Sequence, residues 1–325
     1  MWTLYTLRLS WSSGRNGLRS PISGGCQGRC ATSVDGVNEA PVDLDPDELL
    51  GLVRRSWDPA VEELSYLAVG FGAHHWQARV AGAPRYFVTV DDIGLRHTAE
   101  TLRAAYAGAA ALADKGLHFV VPSLEPYVVD LADRAVSVTP WLDGNPVETI
   151  DRATTAAMLD QLHSVDPADL GVDLPQWRPV VDRELAHHIS ALAQRHWDGG
   201  PYGERARAAV TAALDDIGRW AARYAELGRV ARGRSWVPTH GEPDRHNQLI
   251  TGSGIVLVDW ESLKLAPAER DLRTLDEGDP TMLELFDLEW RLDEINQYTN
   301  WFAGSHGNGQ DDRIAFDGFL NELTR

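Results

Sequence analysis

Four side chains strung along one loop and one short hairpin, His240, Glu242, Asn247 and Asp259, form the part of this chain best suited to chemistry. The loop reads His240-Gly241-Glu242-Pro243-Asp244-Arg245-His246-Asn247. It is followed by Gln248-Leu249-Ile250, a Thr251-Gly252-Ser253-Gly254 turn, and Ile255-Val256-Leu257-Val258-Asp259-Trp260. A carboxylate and an amide on one loop, with a second carboxylate at the far end of a hairpin, can hold a hydroxyl and a magnesium-bound phosphate together. In this reading Glu242 accepts the proton of the attacking hydroxyl. Asn247 binds Mg2+ through its amide oxygen, and Asp259 bridges that metal to the nucleotide phosphates. His240 is read as structural, because a lone histidine beside an apolar hairpin is more often a hydrogen-bonded support than a catalyst.

The string resembles the aminoglycoside phosphotransferase family, small-molecule kinases whose signature is His-Gly-Asp, four residues, Asn and a later Asp. Glu242 stands where that family usually has Asp, which puts the base one methylene further out. The run Gly70-Phe71-Gly72-Ala73-His74-His75-Trp76 looks more like the antibiotic-kinase branch that includes spectinomycin phosphotransferase than like protein kinases. The resemblance covers roughly residues 45–325. It implies an α+β, protein-kinase-like bilobal fold, with a small antiparallel β-sheet lobe carrying one helix and a larger, mainly helical lobe.

The elements that must position these residues are legible in outline. Acids at Asp45-Pro46-Asp47-Glu48 open a helix reading Leu49, Leu50, Val53 and Trp57. Short β-rich runs follow at Ser65 to Val69, Trp76 to Val80 and Tyr86 to Val90, with Ala81-Gly82-Ala83-Pro84 as a turn. Gly70 and Gly72 let backbone N–H groups approach phosphates, and the resemblance adds His74 to that nucleotide loop. Helical spacing of Leu102, Tyr106, Ala109 and Leu112 predicts a helix over about 97–113. The family's third-strand lysine, which grips the α- and β-phosphates and pairs with an acid on that helix, is replaced by Thr89. Glu100 is the helix's candidate acid, and Arg79, Arg85, Arg96 and His74 are the alternative cations.

Tyr127 to Leu131 and Ala135 to Thr139 read as the last two sheet strands. Pro140-Trp141-Leu142-Asp143-Gly144 then resembles the interlobe hinge, where backbone near Thr139 and Leu142 would bind a purine edge and Trp141 would wall the pocket or pack the lobes. Domain boundaries fall at 41–140 for the nucleotide-binding lobe and 141–325 for the catalytic lobe. Helices are expected over about 180–197 and 204–227, then around Leu285 to Phe302 and Asp311 to Leu323. Asp271, in Ala268-Glu269-Arg270-Asp271-Leu272, matches the family aspartate that supports the catalytic loop. The neighbouring acids Glu269, Asp276, Glu277 and Asp279 offer a seat for a cationic acceptor or a solvated face.

Composition bounds the partners. At 325 residues, with net charge −18 and pI near 4.9, the chain argues against nucleic acid and anionic membranes. It favours a cationic small molecule or plain solubility. No apolar run approaches about 18 residues, and the expected location is cytoplasmic. Cys26 and Cys30 are incidental, and residues 1–40 read as a disordered tail. Lys115 and Lys264 are the only lysines in the chain. The donor is expected to be ATP or GTP with Mg2+, and the acceptor an aminoglycoside or aminocyclitol. An endogenous amino alcohol, sugar or secondary metabolite, or nucleotide binding without turnover, stay open, as does the oligomeric state.

Overall fold

Alternation of apolar and polar side chains builds the N-terminal sheet. The computed structural model describes residues 40–69, 72–94 and 97–324. The expectations for Gly70, Arg96, Cys26, Cys30 and all of the tail but Ala40 lie outside those residues. Helix α1 (Pro46–Ser56) starts at Asp45, whose side chain accepts the Asp47 N–H, with Pro46 in the first turn where its missing N–H costs nothing. Strands β1 (Glu63–Leu67), β2 (Ala73–Val80) and β3 (Ala83–Asp92) follow. The β2–β3 turn is the pair Ala81 and Gly82, at φ 50° and 73°, which suits the twist of a tight hairpin.

Helix α2 (Ala99–Asp114) is closed at its start by reciprocal bonds between Thr98 and Thr101. Strands β4 (Val129–Leu131) and β5 (Arg134–Pro140) complete an antiparallel sheet of order β1-β2-β3-β5-β4. One face carries Trp76, Ala78, Val88, Val90, Val136 and Val138 and is covered by Leu49, Leu52 and Val53 of α1. Strand alternation puts His75, Thr89, Asp91 and Ser137 on the other face. Helices α1 and α2 both fall where the sequence places helices.

A short strand β6 (Gly144–Pro146) leads to α3 (Arg152–His163), α4 (Leu185–Leu192), α5 (Gly203–Ala212) and α6 (Leu214–Ala231). Two differences from the sequence reading have local causes. The expected helix over 180–197 shrinks to α4 because Asp182 accepts the Glu184 N–H at 2.8 Å in a turn, while Val181 and Trp197 are buried from loops. The helix expected over 204–227 is broken at Ala213, whose φ −96° and ψ 2° interrupt the ladder.

Strand β7 (Val237–Thr239) enters the candidate loop, and β8 (Gln248–Thr251) with β9 (Gly254–Leu257) forms the expected hairpin, to which β6 adds an edge strand. Strand β10 (Lys264–Ala266) returns antiparallel to β7, pairing Lys264 with Thr239. Helices α7 (Glu269–Leu272), α8 (Pro280–Ala303) and α9 (Gln310–Thr324) close the chain. Among the described residues, no helix is long and apolar enough to cross a membrane.

Helix α2 is the element that ties sheet to loop. Its Leu102, Ala105, Ala109 and Leu112 share one buried cluster with Leu159 and Leu162 of α3 and with Leu257, Trp260 and Leu263 around Asp259. The approach is closest at Gly108, where a Cβ would overlap Leu174 and come within 2.9 Å of Leu263 Cδ2. Gly108→Val should therefore overpack this seam at a cost of roughly 1–3 kcal/mol. Thermal unfolding checks this, and an unchanged melting temperature would show that the seam is loose.

Candidate active site

The loop after β7 is held from beneath by one carboxylate. Asp271 accepts the His240 N–H at 3.0 Å on Oδ2 and the Gly241 N–H at 2.6 Å on Oδ1. His163 of α3 reaches the same Oδ2 at 2.9 Å. Burial alone would raise the Asp271 pKa, but the His163 hydrogen bond and the charges of His163 and Arg270 outweigh it, and the carboxyl is held below its ordinary range. Gly241 sits at φ 103°, and a Cβ there would collide with the Arg270 guanidinium, so only glycine fits. Arg270 in turn donates to Thr239 Oγ1 at 3.0 Å.

His240, expected to act as structural support, sits inside the loop. It is fully buried, its Nε2 faces the Val258 carbonyl at 2.9 Å, and its Nδ1 accepts the Glu242 N–H at 3.3 Å. A carbonyl can only accept, which fixes the Nε2-protonated neutral tautomer. Burial pushes its pKa down, in keeping with that form.

Asn247 ends a 3₁₀ turn capped by Asp244, whose Oδ1 accepts the His246 N–H at 2.7 Å. Its Nδ2 donates to the Glu242 carbonyl at 2.9 Å, which leaves Oδ1 as the acceptor end of the amide. Its own carbonyl accepts the Val258 N–H at 3.0 Å. The next residue, Asp259, lies in the left-handed region at φ 65° and ψ 64°, and is exposed. Glu242, Asn247 and Asp259 are thus joined through three short links: Asn247 to Glu242, His240 to Val258, and Val258 to Asn247. An amide oxygen and one carboxylate suit Mg2+, which is commonly held by one or two protein ligands plus phosphates and water. No cluster of three or more metal-binding His, Cys, Asp or Glu side chains occurs among the described residues.

On the sheet side the expected nucleotide residues separate. Gly72 adopts φ 94°, a conformation glycine takes without strain. His74 does not reach the face that carries Thr89. It lies among the α1-covered residues, 3% exposed, with Nδ1 3.0 Å from the Tyr66 hydroxyl. His75 takes the opposite parity, and its Nδ1 lies 3.2 Å from Thr89 Oγ1. Its ring packs on Phe87 at 4.8 Å, and Phe87 faces Trp141 at 6.4 Å. Thr139 pairs with Phe87 in register, and Trp141 and Leu142 continue from the end of β5. Arg79 is occupied by Glu63, Gln77 and the Gly82 carbonyl, and Arg85 lies over the Tyr86 ring. Glu100 is exposed in the first turn of α2.

Sequence reasoning missed a buried carboxyl on the sheet whose charge couples to Glu261 and Asp259. Asp91, two positions past Thr89 and of the same parity, is 5% exposed, and its Oδ2 makes no hydrogen bond among the described residues. Burial, then the charges of Glu261 and Asp259, push its pKa well up. Glu261 also meets His97 at 3.4 Å. Counting alternate positions from Thr89 would have found both His75, opposite it, and Asp91. The acids near Asp271 form no common seat: Glu269 accepts the Asp279 N–H, Asp279 caps α8 and pairs with Arg234, and Glu277 pairs with Arg152.

Residues 63–294 match the sequence pattern of the phosphotransferase enzyme family. Protein StrN of Streptomyces griseus is 30% identical over 247 residues, which is 68% of this chain and 75% of that protein. Among solved structures, a spectinomycin phosphotransferase in complex with ADP and spectinomycin superposes with a TM-score of 0.66 at 15% identity, over 86% of this chain and 98% of that one. A choline/ethanolamine kinase family protein from Mesorhizobium loti gives a TM-score of 0.50 at 16% identity, over 85% and 92% of the two chains. These likenesses establish the kinase-like α+β fold.

His75 carries a pH signature. Burial lowers its pKa from 6.5 to about 4, partly offset by the charge of Glu261. The unfolded chain takes up this proton below pH about 6.5, so the stability held by the neutral ring is complete above that pH and lost as pH falls toward about 4. His75→Gln should flatten the fall in melting temperature across that window, measured by thermal unfolding from pH 7 to pH 4. An unchanged slope would place the acid sensitivity elsewhere.

Proposed function

From the premise that the chain belongs to the phosphotransferase enzyme family and acts as a small-molecule kinase, we propose that it moves the γ-phosphoryl of ATP or GTP to a hydroxyl of a small amine-bearing molecule. The first candidate acceptor is an aminocyclitol or aminoglycoside. The observation that carries the reading is the linked unit of Glu242, Asn247 and Asp259, in which one set of backbone bonds fixes base and metal-binding atoms together. The fold likeness to a structure holding ADP and spectinomycin, and the net charge of −18, favour a cationic acceptor.

In this mechanism the acceptor hydroxyl attacks the γ-phosphorus in line. Its proton passes to Glu242, a new oxygen–phosphorus bond forms, and the bond to the β–γ bridging oxygen breaks to release the nucleoside diphosphate. Asn247 Oδ1 and the Asp259 carboxylate would hold Mg2+, which would offset phosphate charge when bound. Gly72, Thr89, Thr139, Trp141 and Leu142, joined by His75, line the side of the sheet where the nucleotide lies. Asp271 and His240 keep the loop in place and touch no substrate.

One observation favours a second reading, nucleotide binding with little turnover. Strand β3 carries the buried Asp91, whose charge couples to Glu261 and Asp259, whereas the family resemblance leads one to expect a lysine in this strand.

Nucleotide consumption separates the two readings. The wild type should consume ATP or GTP only with Mg2+, faster with spectinomycin or a related amine-bearing polyol. Glu242→Gln should lower kcat by on the order of 10²–10⁴ while leaving nucleotide affinity nearly unchanged. Asp259→Asn should lower turnover and raise the Mg2+ concentration needed for it, because one of the two groups that would hold the metal loses its charge. Turnover insensitive to both changes removes this site, and its absence in the wild type selects the second reading.

A further inference from the structure

Gln248 follows Asn247 directly, at the first position of β8, paired in register with Leu257. The residue is fully buried, and an amide there needs partners for both of its ends. Its Nε2 donates to the Pro243 carbonyl at 2.9 Å and to Thr155 Oγ1 of α3 at 3.2 Å. A carbonyl can only accept, which sets the orientation of the amide. Oε1 is thereby left buried without a hydrogen bond to any described residue. A half-satisfied buried amide is a cost that an apolar side chain at this position would avoid.

The group that this amide holds gives the cost a reason. Glu242 precedes a proline and is restricted in ψ, and the Pro243 ring locks its own φ, so ψ of Pro243 is the soft dihedral left in the pair. Gln248 restrains it by fixing the direction of the Pro243 carbonyl. His240 Nδ1 accepts the Glu242 N–H at 3.3 Å, and Asn247 Nδ2 donates to the Glu242 carbonyl at 2.9 Å. With Gln248 on Pro243, which has no N–H, every backbone polar group of the two residues is held by a side chain. Thr155 carries the restraint into α3, the helix whose His163 meets Asp271.

We propose that Gln248 is a positioning residue for proton transfer, which acts through Pro243 to set where the Glu242 carboxylate stands. This rests on the phosphotransferase reading above, in which Glu242 takes the hydroxyl proton. A glutamate has one more rotatable bond than an aspartate, so the place of its carboxylate depends more on a fixed backbone root, and a small misplacement at the reacting atoms slows a transfer steeply.

Gln248→Met, which keeps the length of the side chain and removes its amide, tests the assignment in the full-length protein with spectinomycin as acceptor probe. It should lower kcat about tenfold or more with the nucleotide KM within about twofold. In a Glu242→Gln background the same change should lower kcat less than about twofold, because the carboxylate it positions is gone. An equal loss in both backgrounds overturns the assignment and makes Gln248 a packing residue, and so does an unchanged kcat in the single variant. Thr155→Val, which removes only the link to α3, carries the same comparison if Gln248→Met does not fold. Backbone hydrogen exchange across 240–247 should also quicken at least about threefold in Gln248→Met, with α2 changed less than about twofold, and unchanged exchange overturns the assignment. If the wild type consumes no nucleotide, the phosphotransferase reading fails, and the exchange still decides whether Gln248 holds the loop.

Discussion

The candidate site depends on the Asp271 carboxylate and the two successive backbone N–H groups it accepts. Residues 240 and 241 leave β7 and cannot continue its ladder, so their amides need other partners, and a buried unpaired N–H costs more than the bond returns. A single ionised acceptor answers both, through charge-assisted bonds stronger than neutral ones. The ion is stable there because His163, Arg270 and the two amides surround it. Helices α3 and α7 thereby set the height of the loop, and neither touches the reacting atoms.

From that anchor, order passes outward by hydrogen bonds. His240, fixed by its amide, uses its two ring nitrogens in opposite senses, donating to Val258 and accepting from Glu242. Val258 bonds to Asn247, and Asn247 bonds to Glu242, which closes a ring of contacts around the loop. The Trp260 ring packs edge-on against His240 at 4.6 Å and joins the α2 cluster. His240 is thus the junction between Glu242, the Asn247–Val258 link and the helix that braces the sheet.

What the sequence made legible follows from how local each feature is. Glu242, Asn247 and Asp259 lie within 18 consecutive residues, and the hairpin that spaces them is set by its own turn, so the motif could be read directly. The five sheet strands were readable for the same reason, within a few residues at each end. Facing was not. His74 and His75 are adjacent, chemically identical, and differ only in which side of β2 they occupy, which depends on where α1 packs. Edge strand β6 contains Gly144 and Pro146 and has no strand signature of its own; it forms because β8 offers an open edge. Helix α4 was overestimated because Val181 and Trp197 are buried from loops and imitate helical spacing.

The same limit hid the buried carboxyl on β3. Absence of lysine was plain from composition, but that a buried carboxyl would share the Thr89 face required knowing that β3 runs on to Asp92 and keeps parity from Thr89 through Asp91. The described part of this face presents a neutral imidazole, hydroxyls, two aromatic rings and a carboxyl pushed toward its protonated form. It supplies shape and stacking surface, and almost no positive charge. A triphosphate has its charge unchanged by that substitution, so in this reading its neutralisation shifts toward the metal-binding pair and the backbone of the glycine loop. A nucleotide held this way would be positioned chiefly by its base and by the metal, and the Asp271-anchored loop then carries the burden of aligning acceptor and phosphorus that a fixed lysine would otherwise share.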